Sequence, residues 1–326
     1  MTRIYYEREA APGALSGLSV AVVGYGNQGR SWALNLRDSG LPVEVCVRRD
    51  ETRERAEAEG FATADLAAAA GADVVCMLVP DDVIPELGLE RPPGGLTIVA
   101  SGYTLAFERY LPAGDLAMIA PRMLGPEVRR CYEEGVGFIS ALGVHRDATG
   151  RALERTLAVA AAVGALRQGA IEMTARQEAV LDLAVEQVLS PALAHVNQAF
   201  VGAMLEQGVP LEAVMTELVL SGEVERTYGL LREVGFARQM PFHSPTSQYG
   251  QLSRRGVYDA LDFAPTMRKL VDDIASGRFA DEWDAEARAG QPRLRELLDR
   301  FCGEGMRGLE DDMRRRLGPG ARDGGA

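Results

Sequence analysis

The sequence predicts an α/β protein: a doubly wound parallel sheet followed by an all-helical domain. Three observations carry this. Short apolar runs alternate with helical stretches through the first half of the chain. A Gly-x-Gly-x-x-Gly turn stands directly behind the first run. Beyond Gly150 the strand-like runs give way to helical periodicity. Alternation of this kind builds βαβ units and hence a parallel sheet. With 326 residues the chain has room for two domains.

The elements follow in order. Residues 1–16 form a polar leader with a break at Pro12-Gly13. Leu18 to Val23 is the first strand, and Asn27 to Ser39 a helix stopped by Gly40. Val43 to Val47 is the second strand, and Glu51 to Glu59 a helix stopped by Gly60. Ala64 to Ala70 forms a short helix. Asp73 to Val79 is continuously apolar, as a strand buried on both faces should be. Leu96 to Ala100, Leu116 to Ala120 and Gly137 to Val144 are further strands. Residues 151–163 are helical, and 172–207 keep helical spacing with one interruption at Ser190-Pro191. Leu211 to Leu220, Val224 to Val234 and Val257 to Ala275 are helices, and no strong strand run follows about Gln168. This places a nucleotide domain over 17–168, a helical domain over 169–316 and a disordered Gly-rich tail over 317–326.

Charge narrows the function. With 47 acidic against 35 basic residues the net charge is −12. That disfavours nucleic acid, whose phosphates need a basic face, and anionic lipid for the same reason. Lys269 is the sole lysine, so chemistry needing a neutral amine has almost no candidate. Cys46, Cys76, Cys131 and Cys302 are far apart and form no CxxC pair, which fits a reducing compartment without structural zinc. The N-terminus lacks an apolar signal region, and no window of about 18 uncharged apolar residues occurs. The expectation is a cytoplasmic protein with no membrane partner.

The turn Gly24-Tyr25-Gly26-Asn27-Gln28-Gly29 joins a strand to a helix in the first βαβ unit, the setting of the Rossmann dinucleotide fingerprint. Gly24 permits the tight turn, Gly26 the approach of a pyrophosphate, and Gly29 close helix–strand packing. The helix N-terminus presents N–H groups to the phosphates. The ribose selector should close the second strand, where Arg48-Arg49 precede Asp50-Glu51. The two arginines favour NADP(H); the acids behind them leave NAD(H) open.

The stretch VAVVGYGNQGRSWALNLRDSG resembles the opening of the ketol-acid reductoisomerase (acetohydroxyacid isomeroreductase) family. VCMLVPDDVIPEL, GVHRDATGRA, LDLAVEQ and HSPTSQYG continue the likeness in order over roughly residues 18–250. The resemblance implies a Rossmann domain, a knotted helical domain, and a homodimer with the active site at the interface. It also implies alkyl migration promoted by a pair of Mg²⁺ ions, followed by reduction with NADPH. It adds Pro80 and Ser101 to the cofactor-binding set of Gly24 to Gly29, Arg48 and Arg49. Asp182 and Glu186 stand at the family's metal-binding aspartate and glutamate, and their four-residue spacing shares one helix face. Carboxylate oxygens suit Mg²⁺. Glu217 matches one of a second glutamate pair.

The match has departures. Ala213 stands where the other glutamate of that pair belongs, and neighbouring Glu212 is turned about 100° around a helix from it. Ser101 replaces a histidine, Arg122 a lysine and Gln248 a glutamate, while Ser244 keeps a substrate-contacting serine. His243 beside it is either new chemistry or a loop cap; His195 is structural. Arginine stays protonated, so Arg122 cannot relay a proton, but it can clamp a substrate carboxylate. Three carboxylates, Asp182, Glu186 and Glu217, leave one Mg²⁺. The expected function is NADP(H)-dependent reduction of a small anionic 2-keto or 2-imino acid without full alkyl migration. The alternatives are a genuine ketol-acid reductoisomerase and a non-catalytic NADP(H)-binding protein.

Overall fold

The computed structural model describes residues 1–11 and 13–317. It divides into two compact units at Leu183/Ala184. Residues 318–326, and with them nearly all of the expected tail, lie outside the described residues.

The first unit is built on a nine-stranded sheet. Its strands are β1 (Ile4–Tyr5), β2 (Val20–Val23), β3 (Val43–Cys46), β4 (Ala62–Ala64), β5 (Val74–Met77), β6 (Leu96–Val99), β7 (Asp115–Pro121), β8 (Ser140–Arg146) and β9 (Ala170–Glu172). The order is β1-β9-β8-β7-β6-β5-β2-β3-β4. From β4 to β7 every neighbouring pair is parallel, while β8 runs antiparallel to β7. The turn from Gly137 and the segment before it bring the chain back beside β7 without a full crossover, so a mixed edge joins the parallel core.

Strand periodicity divides the apolar side chains between two faces. Val20, Val22, Val74 and Cys76 enter one core cluster; Ala21, Val23, Val75 and Met77 enter the other. Both faces are covered by further chain, which is why these strands are apolar throughout. Helices α1 (Asn27–Asp38), α2 (Glu51–Ala58), α3 (Val83–Glu86), α4 (Tyr103–Ala106), α5 (Gly125–Glu133), α6 (Ala152–Val163) and α7 (Ala175–Ala184) alternate with the strands. Trp32 and Leu36 of α1 are fully buried in the first cluster.

Three strands lie where the sequence predicts none. Between α2 and the 3₁₀ turn Leu66–Gly71, which occupies the expected short helix, runs β4. The leader enters the sheet as β1, and β9 pairs with it behind residue 168. Tyr5 is buried, its hydroxyl donating to Glu172 Oε1 at 2.6 Å. The first unit therefore contains both the expected leader and residues 169–183. Strands of two or three residues are too short for alternation to register.

The second unit is helical: α8 (Ser190–Glu206), α9 (Leu211–Met215), α10 (Glu223–Val234), α11 (Phe236–Gln239), α12 (Pro245–Arg254), α13 (Ala264–Ala275), α14 (Arg278–Arg288), α15 (Pro292–Cys302) and α16 (Glu304–Arg316). Helical structure is continuous over Ala175–Glu206, and an 18-residue window in it has mean hydropathy 1.3, enough by length and composition to cross a membrane. The expected interruption at Ser190-Pro191 takes the form of a π-turn over Val185–Leu189. Proline removes an N–H from the helical ladder, and the wider turn absorbs this: Ser190 donates both its N–H and its hydroxyl to Val185 O. A second π-turn spans Thr216–Leu220. The helix expected from Val257 begins instead at Ala264, after a 3₁₀ turn over Arg255–Ala260.

Candidate cofactor and substrate site

The glycine turn has two tight positions and one open one. Gly24 has φ +94°, and a Cβ there would lie 2.6 Å from Leu78 O and 2.7 Å from Val79 Cγ1. A Cβ on Gly29 would collide with Gly24 O. The fold itself thus requires both glycines. Gly26 differs: its φ is −75°, and a Cβ would meet nothing within 4 Å. No steric demand of the protein calls for glycine at this N-cap of α1. The open space lies where a pyrophosphate meets the helix N-terminus.

A cleft of about 340 Å³ starts there, with Gly26, Asn27, Gln28, Pro80, Asp81 and Ser101 in its lining. Gln28 reaches Met123 O through Nε2 at 3.4 Å, while its buried Oε1 has no hydrogen-bond partner. Such an atom calls for a donor, and the carboxamide of a nicotinamide is one. Ser101 Oγ accepts from the Tyr103 N–H at 3.2 Å. Tyr25, expected in the cofactor set, has its ring in the core edge-on to Phe61 at 5.7 Å, and its hydroxyl donates to Glu59. The side chain between two turn glycines points inward here, so Tyr25 offers a ligand only its backbone.

At the ribose selector the arginines are paired. Arg48 Nε lies 3.4 Å from Asp50 Oδ2. Arg49 forms a two-pronged pair with Asp65, Nε at 3.1 Å and Nη2 at 2.8 Å. Asp50 also caps α2 by accepting from the Thr52 N–H at 3.0 Å.

Arg122, on the loop after β7, lies between two carboxylates of α7. Nη1 donates to Glu178 Oε1 at 2.7 Å and Nη2 to Asp182 Oδ1 at 2.9 Å. Both terminal nitrogens therefore hold protein carboxylates, where the sequence suggests a clamp on a substrate carboxylate. Glu178 is buried and accepts from the Gly102 N–H through Oε2 at 2.6 Å. That approach needs glycine, since a Cβ at Gly102 would collide with Ala175 O at the start of α7. Burial, then repulsion from Asp182, raises the Glu178 carboxyl against the opposing pull of the Gly102 N–H and Arg122. Asp81 is pushed up to about 7, first by desolvation and then by Glu178, Asp82 and Asp182.

Glu178, Gly102 and Asp81 escaped the sequence reading. A signal existed for Glu178, which precedes Asp182 by four residues, as Asp182 precedes Glu186. The Asp81 signal is tertiary, because its neighbours come from α7.

The remaining expected site residues belong to the second unit. Glu186 and Glu217 each sit in one of the two π-turns. Such turns are rare, so their coincidence with both candidate ligands is notable. Glu212 Oε1 accepts from Arg316 Nη1 at 2.9 Å. Ser244 is the N-cap of α12, its Oγ accepting from the Ser247 N–H at 3.3 Å. Gln248 Nε2 donates to His243 O at 2.7 Å, and His243 Nε2 shares a 3.0 Å hydrogen bond with Gln239 Oε1. His195 is exposed on α8. Among the described residues no three His, Cys, Asp or Glu side chains converge as a metal-holding group.

The comparisons with known proteins follow this division. Residues 14–169 match the family model described as acetohydroxy acid isomeroreductase, NADPH-binding domain, and residues 176–317 the ketol-acid reductoisomerase C-terminal domain. A ketol-acid reductoisomerase (NADP(+)) of Caldivirga maquilingensis is 37% identical over 329 residues, 98% of this chain and 100% of that protein. A ketol-acid reductoisomerase (NAD(P)(+)) of Metallosphaera sedula is 34% identical, covering 97% of this chain and 96% of that one. Among solved structures, an NADH-preferring ketol-acid reductoisomerase from an uncultured archaeon superposes with a TM-score of 0.87 at 27% identity, covering 96% and 98%. With both halves matched and full-length relatives above 30% identity, the chain belongs to the ketol-acid reductoisomerase family and is an NAD(P)H-dependent oxidoreductase.

Proposed function

We propose that the chain uses NADP(H) to reduce a small anionic 2-keto or 2-imino acid and does not carry out the full alkyl migration. The observation that carries this is the charge arrangement around Arg122. Migration needs strong Lewis-acid polarisation of two oxygens, which two metal ions supply. Here a fixed guanidinium bridges Glu178 and Asp182, and Ala213 removes one of four carboxylates. Hydride transfer needs less: a bound nicotinamide, an oriented carbonyl or imine, and a proton source.

The first unit fits the dinucleotide. The open face at Gly26 receives the pyrophosphate, and the unpartnered Gln28 Oε1 receives a carboxamide N–H. Arg48 and Arg49 would meet a 2′-phosphate on release from Asp50 and Asp65, and Pro80 and Ser101 would border a nicotinamide. Bound there, NADPH supplies a hydride to the substrate carbon. Arg122 cannot give up its proton, so it balances Glu178 and Asp182 instead of relaying.

One Mg²⁺, which takes few protein carboxylates and keeps several waters, belongs to the same proposal, although among the described residues no three His, Cys, Asp or Glu side chains converge to hold it. Its candidate ligands in the second unit are Glu186 and Glu217, and when bound it would polarise a keto oxygen; Ser244 is the candidate substrate contact. The second unit supports a homodimer. Leu189, Leu193, Val196 and Phe200 of the α8 region are all exposed, a row that a second copy of the chain would cover.

One specific finding favours a second reading, a genuine ketol-acid reductoisomerase: the curated relatives that carry that name match over their full lengths. The deciding experiment follows NADPH oxidation with and without Mg²⁺ on 2-acetolactate and on its rearranged product, 3-hydroxy-3-methyl-2-oxobutyrate. The proposal expects turnover of the rearranged compound alone. Mg²⁺-dependent turnover of both establishes the second reading. Stoichiometric NADPH binding with no turnover of these or a wider keto-acid and imine panel establishes a binding protein.

A further inference from the structure

We propose that Asp65 is a specificity-determining residue that competes with the cofactor's 2′-phosphate for Arg49 and so tilts the chain toward NAD(H). The inference rests on the dinucleotide site above and adds to it a residue outside every motif of the selector loop.

Asp65 follows β4, the strand beside β3. Parallel pairing of Cys46 with Ala64, and the Val47 N–H to Ala64 O bond at 3.0 Å, bring the two strand ends level. Asp65 thereby faces the loop in which a Rossmann sheet reads the adenosine ribose. Its carboxylate takes both prongs of Arg49 and also Arg53 Nη2 at 2.6 Å. Arg53 cannot turn away readily, because the same nitrogen donates to Val47 O at 2.8 Å and Ala64 O at 2.9 Å. These two arginines hold the Asp65 carboxyl well below the usual carboxylate range.

Each arginine near the selector thus has a carboxylate partner: Arg48 has Asp50, while Arg49 and Arg53 share Asp65. Residues 48–53 and Asp65 together carry three arginines against Asp50, Glu51 and Asp65, leaving no net charge. Beyond them in α2, Glu54 is followed by Arg55, whose Nη2 donates to Tyr25 O, so the balance stays neutral. A 2′-phosphate brings about −1.5 to −2 charges at pH 7. To bind, it must draw Arg49 from Asp65 and remain beside that carboxylate. A 2′-hydroxyl meets no such conflict, since a carboxylate accepts its hydrogen bond.

Calorimetric titration of the full chain with adenosine 5′-monophosphate and with adenosine 2′,5′-bisphosphate, which differ only by the 2′-phosphate, isolates this effect without turnover. The variants are Asp65→Asn, Arg49→Gln and the double variant. Asp65→Asn should raise affinity for the bisphosphate about fivefold relative to the monophosphate, an increment on the scale of one exposed charge pair. The gain should shrink at high salt and disappear in the double variant. The NADPH/NADH ratio of kcat/KM should move the same way. An equal change for both nucleotides, or a gain that persists without Arg49, overturns the role of Asp65. If wild type and variants bind neither nucleotide nor NADPH and NADH, the dinucleotide reading itself fails, and the role of Asp65 with it.

Discussion

The two units bury their apolar residues differently. In the first, both core clusters close within the unit, and Trp32, Phe138, Leu96, Ile98 and Met118 are fully buried. In the second, few large apolar side chains are buried, among them Val188, Val214, Met240, Ile274 and Met313, while Phe200, Tyr228, Phe236, Tyr249, Leu252 and Phe301 stay exposed. A sheet covered on both sides completes its own core. Helices with apolar residues around much of their circumference need further surface to cover them. The first unit has what it needs to hold a nucleotide. The second unit leaves apolar surface that the proposed second copy of the chain would cover, and its two π-turns carry the exposed Glu186 and Glu217.

The largest expected effect tests that requirement. Leu193→Glu with Phe200→Glu places two charges on the open face of α8. Loss of the dimer and of turnover is expected, with NADPH binding retained; sedimentation velocity and fluorescence titration read the two separately. A variant that remains dimeric refutes the interface.

The second test stays within the first unit and separates glycines of the fold from the glycine of the ligand. Gly29→Ala should cost about 1–3 kcal/mol, because its Cβ collides with backbone that cannot readily move. Gly26→Ala has open space and an ordinary φ, so the melting temperature should hold while NADPH affinity falls. Equal melting-temperature losses in both would mean that the open face at Gly26 is not a ligand site.

A third test concerns Arg122. Arg122→Ala leaves buried Glu178 without its cation, and breaking a pair of this kind costs about 3 kcal/mol. Arg122→Lys should recover part of this, since lysine keeps the charge but not the two-pronged geometry. Urea denaturation of both variants gives the comparison. Equal losses would show that charge alone is not what Arg122 contributes.

How much of this was legible follows from the length and locality of each signal. The strand–turn–helix of Val20 to Asp38 was readable because its periodicity and its glycines occupy one short stretch. Beta strands β1, β4 and β9 were not, because two or three residues carry no period and their pairing is set by distant partners. Ala213 was read from register alone. The partners of Arg122 and Arg49 were invisible: Glu178 is 56 residues from Arg122, and Asp65 is 16 from Arg49. Sequence named the cations but not the carboxylates that hold them, and those carboxylates decide what each arginine has left for a ligand.

The smallest expected effect is the pH dependence added by Asp81. Burial and then the neighbouring carboxylates push its folded carboxyl up to about 7, from 3.8 for a free side chain. Folding therefore raises its proton affinity, and stability falls as pH rises through that interval because the folded state must release a proton it retains. Above about pH 8 the penalty is complete and constant. Asp81→Asn removes the titration while keeping the shape, so the variant should gain stability on the wild type between pH 5 and pH 8, on the order of 1 kcal/mol. Melting temperatures of both proteins at pH 5, 6.5, 8 and 9 give the difference curve. It should grow up to about pH 8 and then flatten. A flat difference throughout would mean that water reaches Asp81 and that Arg122 neutralises Glu178 and Asp182, leaving Asp81 an ordinary acid. The cluster at the cleft edge would then lack the proton that burial first, and the neighbouring carboxylates second, otherwise favour.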